Sequence, residues 1–335
     1  METLREILAA DFLLRNSIYI SLLVGLVCPL VGSYLVLRRL IFMGVALPQI
    51  SSCGIAFAFA LQAWGVIPHV HENEHSLAFV GATLFTIPTI LLLSVLVRRG
   101  GESVEGRLGT VYVLAGAWSI LLLVTNPLGE HGLLDMLKGE IIAVSRTDLI
   151  RTGVTFAVVA ITLFVFQKEF LLVSFDREMA VTLKKRVGLW DALLFLVMGI
   201  TISMAVLSTG PLVSFGFLLV PPLIARLLAR NMREFLWMAS GIGGLSALAG
   251  FYVAYRWDLP VGPTDVALLG VAYGLVFSAE RAFALVRRQP GERLLPNRDQ
   301  SQSAIRGSCA PGDPSLGSGS AGHPLLNGRR RDSES

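Results

Sequence analysis

The stretch HVHENEH, residues 69–75, carries side chains that can ligate a metal ion. His69, His71 and His75 are interspersed with two glutamates, and imidazole and carboxylate groups are common protein ligands of Zn²⁺. We place this stretch in a short loop outside the membrane, where it would bind metal loosely. The alternative interpretation is a solvated polar loop. His131, beside Glu130, is placed on the same side and would extend such a cluster.

The stretch MGVALPQISSCGIAF, residues 43–57, is apolar enough for a membrane yet holds a proline beside an amide. Pro48 removes one helical hydrogen bond and frees a carbonyl group, while Gln49 can point into a cavity. Two interpretations stay open. Gln49, Ser51 and Ser52 line a polar path, or Gln49 makes an ordinary hydrogen bond to a neighbouring helix, worth about 0.6 kcal/mol.

Little else in the apolar segments suggests chemistry. An ionisable group at the centre of a bilayer costs about 2.5–3.5 kcal/mol on insertion scales, and these segments contain almost none. We place Glu280 at the inner end of the last segment, and Asp258 and Asp265 at the outer end. The sequence has no GxxxxGK[ST] loop, so ATP would have to be bound by another chain. We therefore expect neither an enzyme nor a bound cofactor.

The composition is that of a membrane protein. Of 335 residues only 16% are charged, against about a quarter in soluble domains, and the mean hydropathy is +0.66. Nine segments are long enough to cross a bilayer as helices: 17–37, 41–64, 77–97, 108–125, 149–167, 189–208, 211–229, 235–255 and 263–284. The fold class is thus all-α, a polytopic bundle of about eight or nine spanning helices. The proline-rich segment 211–229 has a broken or re-entrant helix as its alternative.

Lysine and arginine are concentrated in alternate loops between these segments, which is the positive-inside pattern. It predicts a multi-pass protein of an inner or plasma membrane, with the N-terminus outside and the C-terminus in the cytoplasm. The basic residues form short clusters of this kind, so we expect no nucleic-acid partner. We divide the chain into an amphipathic segment 1–16, a transmembrane domain 17–288 and a disordered cytoplasmic tail 289–335.

Four separated motifs resemble one family, the ABC-3 permeases, which are membrane subunits of ATP-binding cassette transporters for zinc and manganese. GSYLVLRRLIFMGVALPQISSCGIAFAF (32–59) resembles the family's signature region. The later motifs are LLDMLKGEIIAVSRTDL (133–149), similar to its external segment, FDREMAVTLKKRVGLWDALLF (175–195), similar to its cytoplasmic coupling region, and STGPLVSFGFLLVPPLIARLLA (208–229) with DLPVGPT (258–264), similar to its closing helices. The resemblance covers about residues 17–284.

This resemblance implies several partners. A second copy or a paralogue of the permease would pair with the chain in the lipid bilayer, and a cytoplasmic ATP-binding subunit would dock beneath it. An extracytoplasmic metal-binding protein would deliver the metal. Asp176, Arg177, Glu178 and Lys184 are the candidates for the polar face of a coupling helix. The alternative for each of them is a solvated loop charge.

The sequence departs from the family at the position where the family holds its ion. There the family has an aspartate and, four residues later, a histidine, which share one helical face. Here these positions are Val45 and Gln49. Valine cannot ligate a metal, and the neutral carbonyl oxygen of glutamine is a weak ligand for zinc. The candidate substrate path, Val45, Gln49, Ser51 and Ser52, is therefore polar without being a strong metal trap.

We predict the permease subunit of an ATP-binding cassette transporter that imports a divalent metal of the Zn²⁺, Mn²⁺ and Fe²⁺ class, with ATP hydrolysed by a separate subunit. A partner permease with an intact ligand pair would reconcile the substitutions with metal transport. The alternatives are an ABC permease for a non-metal solute and a stand-alone secondary transporter or channel. The second alternative needs charges in the spans, which the sequence scarcely offers.

Overall fold

The computed structural model describes residues 15–66, 74–98, 104–124 and 145–288. Within these ranges the regular structure is helical and contains no β-strand, which confirms the predicted all-α fold class. In chain order the helices are α1 (Arg15–Leu37), α2 (Ile41–Ala63), α3 (Glu74–Arg98), α4 (Val104–Val124), α5 (Arg146–Val165), α6 (Gln167–Phe175), α7 (Arg177–Thr182), α8 (Val187–Leu228), α9 (Met232–Trp257) and α10 (Val261–Arg288).

Eight of these helices are long and apolar enough to cross a membrane: α1 to α5 and α8 to α10. They form because lipid offers no hydrogen-bond partner to the backbone, and a helix satisfies its own N–H and C=O groups. Prolines inside α1, α2 and α3 leave each helix continuous. Close packing against neighbouring helices makes such prolines tolerable in membrane spans. The chain is thus a multi-pass membrane protein.

The longest helix, α8, crosses the bundle twice. A straight helix of its 42 residues would be about 63 Å long, twice the thickness of a bilayer core. Asp191, near its start, pairs with Arg38 at 2.9 Å, and Arg226, near its end, lines a cavity together with Leu37. Both ends of α8 therefore lie at the same end of α1, and the helix folds back at Gly210. Its two arms, residues 187–209 and 211–228, correspond to the two predicted spans.

The reversal depends on the backbone of Gly210, which has φ 77° and ψ 167°. This region of conformational space is essentially reserved for glycine, and another residue there costs about 1–3 kcal/mol. We expect Gly210→Ala to lower the unfolding free energy by about that amount, as measured by thermal melting in detergent. Gly241→Ala in α9 is the control, because an added Cβ there meets no atom within 4 Å. Equal melting temperatures of the two variants would contradict this role of Gly210.

The bundle has two chemically different ends. At one end, which we call the His75 end, His75 Nε2 at the start of α3 lies 3.4 Å from Asp148 Oδ2 at the start of α5. At the other, the Arg38 end, the Nε of Arg38 donates a hydrogen bond of 2.9 Å to the Ser174 hydroxyl in α6. Because α2 runs from the Arg38 end back towards the start of α3, the short helices α6 and α7 lie opposite His75, as the predicted threading requires.

Glycines let several helices touch backbone to backbone. An added Cβ at Gly54 in α2 would lie against the carbonyl group of Gly81 in α3, and one at Gly25 in α1 would lie 2.7 Å from the Gly243 carbonyl oxygen in α9. These are distances at which a side chain cannot fit. The pairs of small residues in the sequence thus serve packing within one chain, which is the usual use of such pairs in membranes.

The chain divides into two units, Met1–Ala282 and Phe283–Ser335. The first unit holds all the contacts described above. Of the second, the structure describes only the end of α10. Residues 1–14 and 289–335 lie outside the described residues, so the amphipathic N-terminal segment and the tail stay predictions from the sequence.

Candidate functional site

The face of α2 that carries Val45 and Gln49 is turned towards α4. Both residues are half-buried, and a Cβ built on Gly116 of α4 would lie 3.3 Å from Gln49 Nε2. One turn further along the same face, the hydroxyl groups of Ser52 and Ser119 lie 3.2 Å apart. Val45, Gln49 and Ser52 therefore form one row along the contact between α2 and α4, as their spacing predicts.

The two interpretations of Gln49 lead to different contacts. In the part of the chain that is described, the Gln49 side chain makes no hydrogen bond to another helix. That interhelical bond is made by Ser52, which is fully buried. Gln49 presents a half-buried carboxamide, and its role in lining a polar path stays a prediction.

Ser51 does not belong to this row. Two residues beyond Gln49 on a helix, it points about 200° away. It is fully buried, and among the described residues its hydroxyl has no partner. Thr86 in α3 and Ser203 in the first arm of α8 are buried and unpartnered in the same way, and α2, α3 and α8 pack against one another. The polar groups of α2 thus face two different sides of the helix.

The predicted histidine site is only partly covered by the structure. His69 and His71 lie outside the described residues, while His75 is partly exposed at the start of α3. Its neighbour is Asp148, a residue that the sequence did not single out. Within the described ranges no group of three or more His, Cys, Asp or Glu residues is arranged to hold a metal ion. Metal binding by His69, His71 and His75 stays a prediction.

The predicted coupling residues lie in the short helix α7 and directly beside it. The Asp176 carboxylate caps this helix by accepting a 2.9 Å hydrogen bond from the Met179 amide. Glu178 and Lys184 are exposed, and the side chain of Arg177 is outside the described part. Asp176 therefore stabilises the start of α7, while the coupling role of Glu178 and Lys184 stays a prediction.

Apolar side chains around α7 form a second feature, which the sequence analysis missed. Phe175, Met179, Val181 and Leu183 expose between 53% and 69% of their surface. Ala180 of this helix packs with Val173 and Val187 in a small buried cluster. A group of exposed apolar residues of this kind is typical of a surface that another protein covers.

A buried ion pair connects this region to the spans. Arg38 Nη1 lies 2.9 Å from Asp191 Oδ1, and the two side chains are only 11% and 5% exposed. The guanidinium group also lies over the ring of Phe195 at 5.2 Å and donates a hydrogen bond to the Ser174 hydroxyl. The pair joins the end of α1, the end of α6 and the start of α8. The sequence showed Arg38 only as a topology signal.

Aromatic rings fix α6 to the same two spans. Phe170 meets Tyr34 of α1 at 6.1 Å and Trp190 of α8 at 6.0 Å, and Phe166 meets Trp190 at 5.2 Å. With Arg38 and Asp191, these contacts make α6 a firm link between the exposed helix α7 and the bundle.

Asp265 lies near the start of α10, the end of the last span at which we placed it, and it is fully buried. The Ser21 hydroxyl of α1 donates a 3.3 Å hydrogen bond to its Oδ2. The sequence did not predict this burial, because Ser21 is 244 positions away and comes beside Asp265 only in the folded bundle. Asp258, by contrast, is exposed.

Comparisons with known proteins agree on one group. The family model described as the ABC 3 transport family matches residues 10–280. An uncharacterized membrane protein of Synechocystis sp. is 27% identical over 276 residues, covering 82% of this chain and 92% of its own. The manganese transport system membrane protein MntB of the same organism is 25% identical over 303 residues, covering 90% and 94%.

A solved structure, PsaBC from Streptococcus pneumoniae in complex with Fab, has a similar fold. It superimposes with a TM-score of 0.70 at 22% identity, covering 82% of this chain and 94% of that one.

Proposed function

The chain belongs to the ABC 3 transport family, and we propose that it is the membrane-spanning permease subunit of an importer for a divalent metal ion. One observation carries the proposal beyond the family match. The exposed helix α7 lies at the end of the bundle opposite His75, and α6 ties it to α1 and α8 through a buried ion pair. The names of relatives such as MntB support manganese as a substrate of this class.

We infer that a separate ATP-binding subunit docks on α7 from the cytoplasm. Met179, Val181 and Leu183 supply the apolar part of the surface, with Glu178 and Lys184 as its polar contacts. ATP-driven closure of that subunit would move α6 and α7 together. The Arg38–Asp191 pair would pass the movement to α1 and α8, and thereby change the packing around the α2–α4 path.

The distribution of charge supports an Arg38 end in the cytoplasm. At this end lie Arg38, Arg39, Arg107, Lys168, Lys184, Lys185, Arg186, Arg226, Arg230, Arg233 and Arg281, whereas Arg15, Arg146, Arg151 and Arg256 lie at the His75 end. This asymmetry follows the positive-inside rule. On this basis we propose that the His75 end lies outside, where an extracytoplasmic metal-binding protein would deliver the ion, and that the C-terminus lies inside.

Val45 and Gln49 decide what the substrate path of this subunit can bind. A valine in place of a carboxylate leaves this subunit without a strong ligand, so we propose that a second permease, a copy or a paralogue, contributes groups to a shared site. The same valine favours a second candidate function, a permease for a solute other than a metal ion. Uptake measurements separate the two functions.

The function is tested by reconstituting the chain with its ATP-binding subunit in proteoliposomes and offering Mn²⁺, Zn²⁺ and Fe²⁺ separately. We expect ATP-dependent uptake of at least one of these ions. The control is the same complex with an ATP-binding subunit that cannot hydrolyse ATP, which should transport none. An intact complex that hydrolyses ATP and takes up none of the three metals would reject metal import.

Restoring the ligand pair should strengthen metal binding. We expect Val45→Asp combined with Gln49→His to raise the affinity for Mn²⁺ or Zn²⁺ about tenfold or more, since a carboxylate and an imidazole would then share one face of α2. Calorimetric titration of the purified variant measures the change. Val45→Asp with Gln62→His is the mismatched control, because position 62 is too far along the helix. Equal affinity in both variants would show that this face holds no ion.

A further inference from the structure

A cavity of about 500 Å³ opens at the Arg38 end, between the end of α1, the end of α6, the second arm of α8 and the start of α9. Three arginines line it: Arg39 after α1, Arg226 in the last turn of α8 and Arg230 in the following connection. Its walls also contain apolar side chains, among them Phe175 and Phe235. The cavity thus combines concentrated positive charge with apolar contact surface.

The charge of these arginines is not compensated within the described part of the chain. No carboxylate there comes within 4.0 Å of the guanidinium groups of Arg39, Arg226 or Arg230. Glu234 is close in sequence, but its carboxylate accepts a 3.0 Å hydrogen bond from the backbone N–H of Arg230. The first turn of α9, with its free N–H groups, begins at the same cavity. The cavity is complementary to an anion.

An apolar groove of about 360 Å³ lies next along α1 and α9. Leu30 and Tyr34 of α1 and Leu236 and Trp237 of α9 line it, with residues of α5 opposite. Tyr34 is three residues before Leu37, and Leu236 follows Phe235, so the groove lies within one helical turn of the cavity. Trp237 is 63% exposed.

We propose that this crevice between α1 and α9 binds one anionic phospholipid, with its phosphate among the arginines and an acyl chain along the groove. The arginines stand at the ends of spanning helices, the depth at which a headgroup phosphate lies. An acidic segment of a partner protein would match the arginines but would leave the groove empty. A lipid fills both parts, so the observations favour the lipid.

Trp237 provides a direct probe of the site. The chain is reconstituted in phosphatidylcholine with increasing fractions of phosphatidylglycerol brominated on its acyl chains, which quench tryptophan at contact. The difference between the unmodified chain and Trp237→Phe isolates the signal of Trp237. We expect half-maximal quenching at about tenfold lower mole fraction than with brominated phosphatidylcholine. Equal quenching by the two lipids would overturn the proposal.

Two double variants separate the site from general surface charge. Arg226→Gln with Arg230→Gln should abolish the preference for the anionic lipid. Arg151→Gln with Arg256→Gln, an equal charge change on exposed residues at the His75 end, should retain it. All four side chains are exposed, so melting temperatures should stay close to that of the unmodified chain. A preference that survives the first double variant rejects the arginine cavity as the headgroup site.

Two competitors identify the source of the anion. Inorganic phosphate at millimolar concentration should leave the quenching unchanged, because it lacks the acyl chain. Relief of quenching by phosphate would reassign the cavity to a soluble anion. Relief on addition of the purified ATP-binding subunit would reassign it to that partner. Either result overturns the lipid proposal.

Discussion

Replacing Arg38 by methionine should destabilise the protein by about 3–5 kcal/mol, because the buried carboxylate of Asp191 would lose its counter-charge. Asp191→Leu should have a similar effect, since the buried guanidinium group would then lose its counter-charge. The two changes together remove both charges, and a buried ion pair can often be replaced by apolar residues at little cost. We therefore expect the double variant to melt near the temperature of the unmodified protein.

This double variant distinguishes a structural pair from one that transmits movement. If Arg38 and Asp191 connect α6 to the spans, the refolded double variant should still bind its ATP-binding subunit and hydrolyse ATP. It should transport several-fold fewer ions per ATP, as measured in proteoliposomes. A double variant with normal stability and normal transport per ATP would show that the pair only holds the fold together.

Gly32→Val should prevent the protein from folding. A Cβ at Gly32 would lie well inside contact distance of the Leu218 carbonyl oxygen, so α1 and the second arm of α8 would have to separate. The obstacle is backbone, which cannot move aside as a flexible side chain can. Overpacking of this kind costs about 1–3 kcal/mol when side chains give way, and more when they cannot. We expect a loss on the order of 4 kcal/mol or more.

Folding of this variant can be followed with a thiol-reactive dye. Cys28 and Cys53 are buried free thiols, so they should become reactive only when the bundle opens. In a background without Cys309, Gly32→Val should react at once, while Gly270→Val in α10, where an added Cβ meets nothing within 4 Å, should react only on heating. Slow reaction of Gly32→Val would mean that α1 and α8 do not pack as described.

Much of the fold follows from local properties of the sequence. Long apolar segments form helices in lipid because the backbone has no other partner, and this is true of α1 or α9 whatever surrounds them. The division of α8 is also visible in the sequence, where Gly210 precedes Pro211. A glycine that can adopt positive φ, followed by a proline that cannot continue the ladder, predicts the place where the helix turns back.

The candidate site was harder to predict from the sequence, because its contacts join distant parts of the chain. Asp191 meets Arg38, and Asp265 meets Ser21, across more than a hundred intervening residues. A single sequence gives no sign of such partners, so the burial of Asp265 was not predicted. Ser51 is a different case. Its angle to Gln49 on a helix was available from the sequence, and helical periodicity alone would have removed it from the Gln49 face.

The central claim is that a separate ATP-binding subunit moves the bundle from the end that carries α7. A cysteine at position 178, in a chain whose native cysteines are replaced, tests it most directly by cross-linking in membranes. Position 66, exposed after α2 at the His75 end, carries the matched control cysteine. We predict that the cysteine of Glu178→Cys cross-links to the ATP-binding subunit and is not labelled by an impermeant thiol reagent in intact cells. The cysteine of Val66→Cys should be labelled by that reagent and should not cross-link to the subunit. Labelling of position 178 from outside, or cross-linking of position 66 to that subunit, would contradict the account.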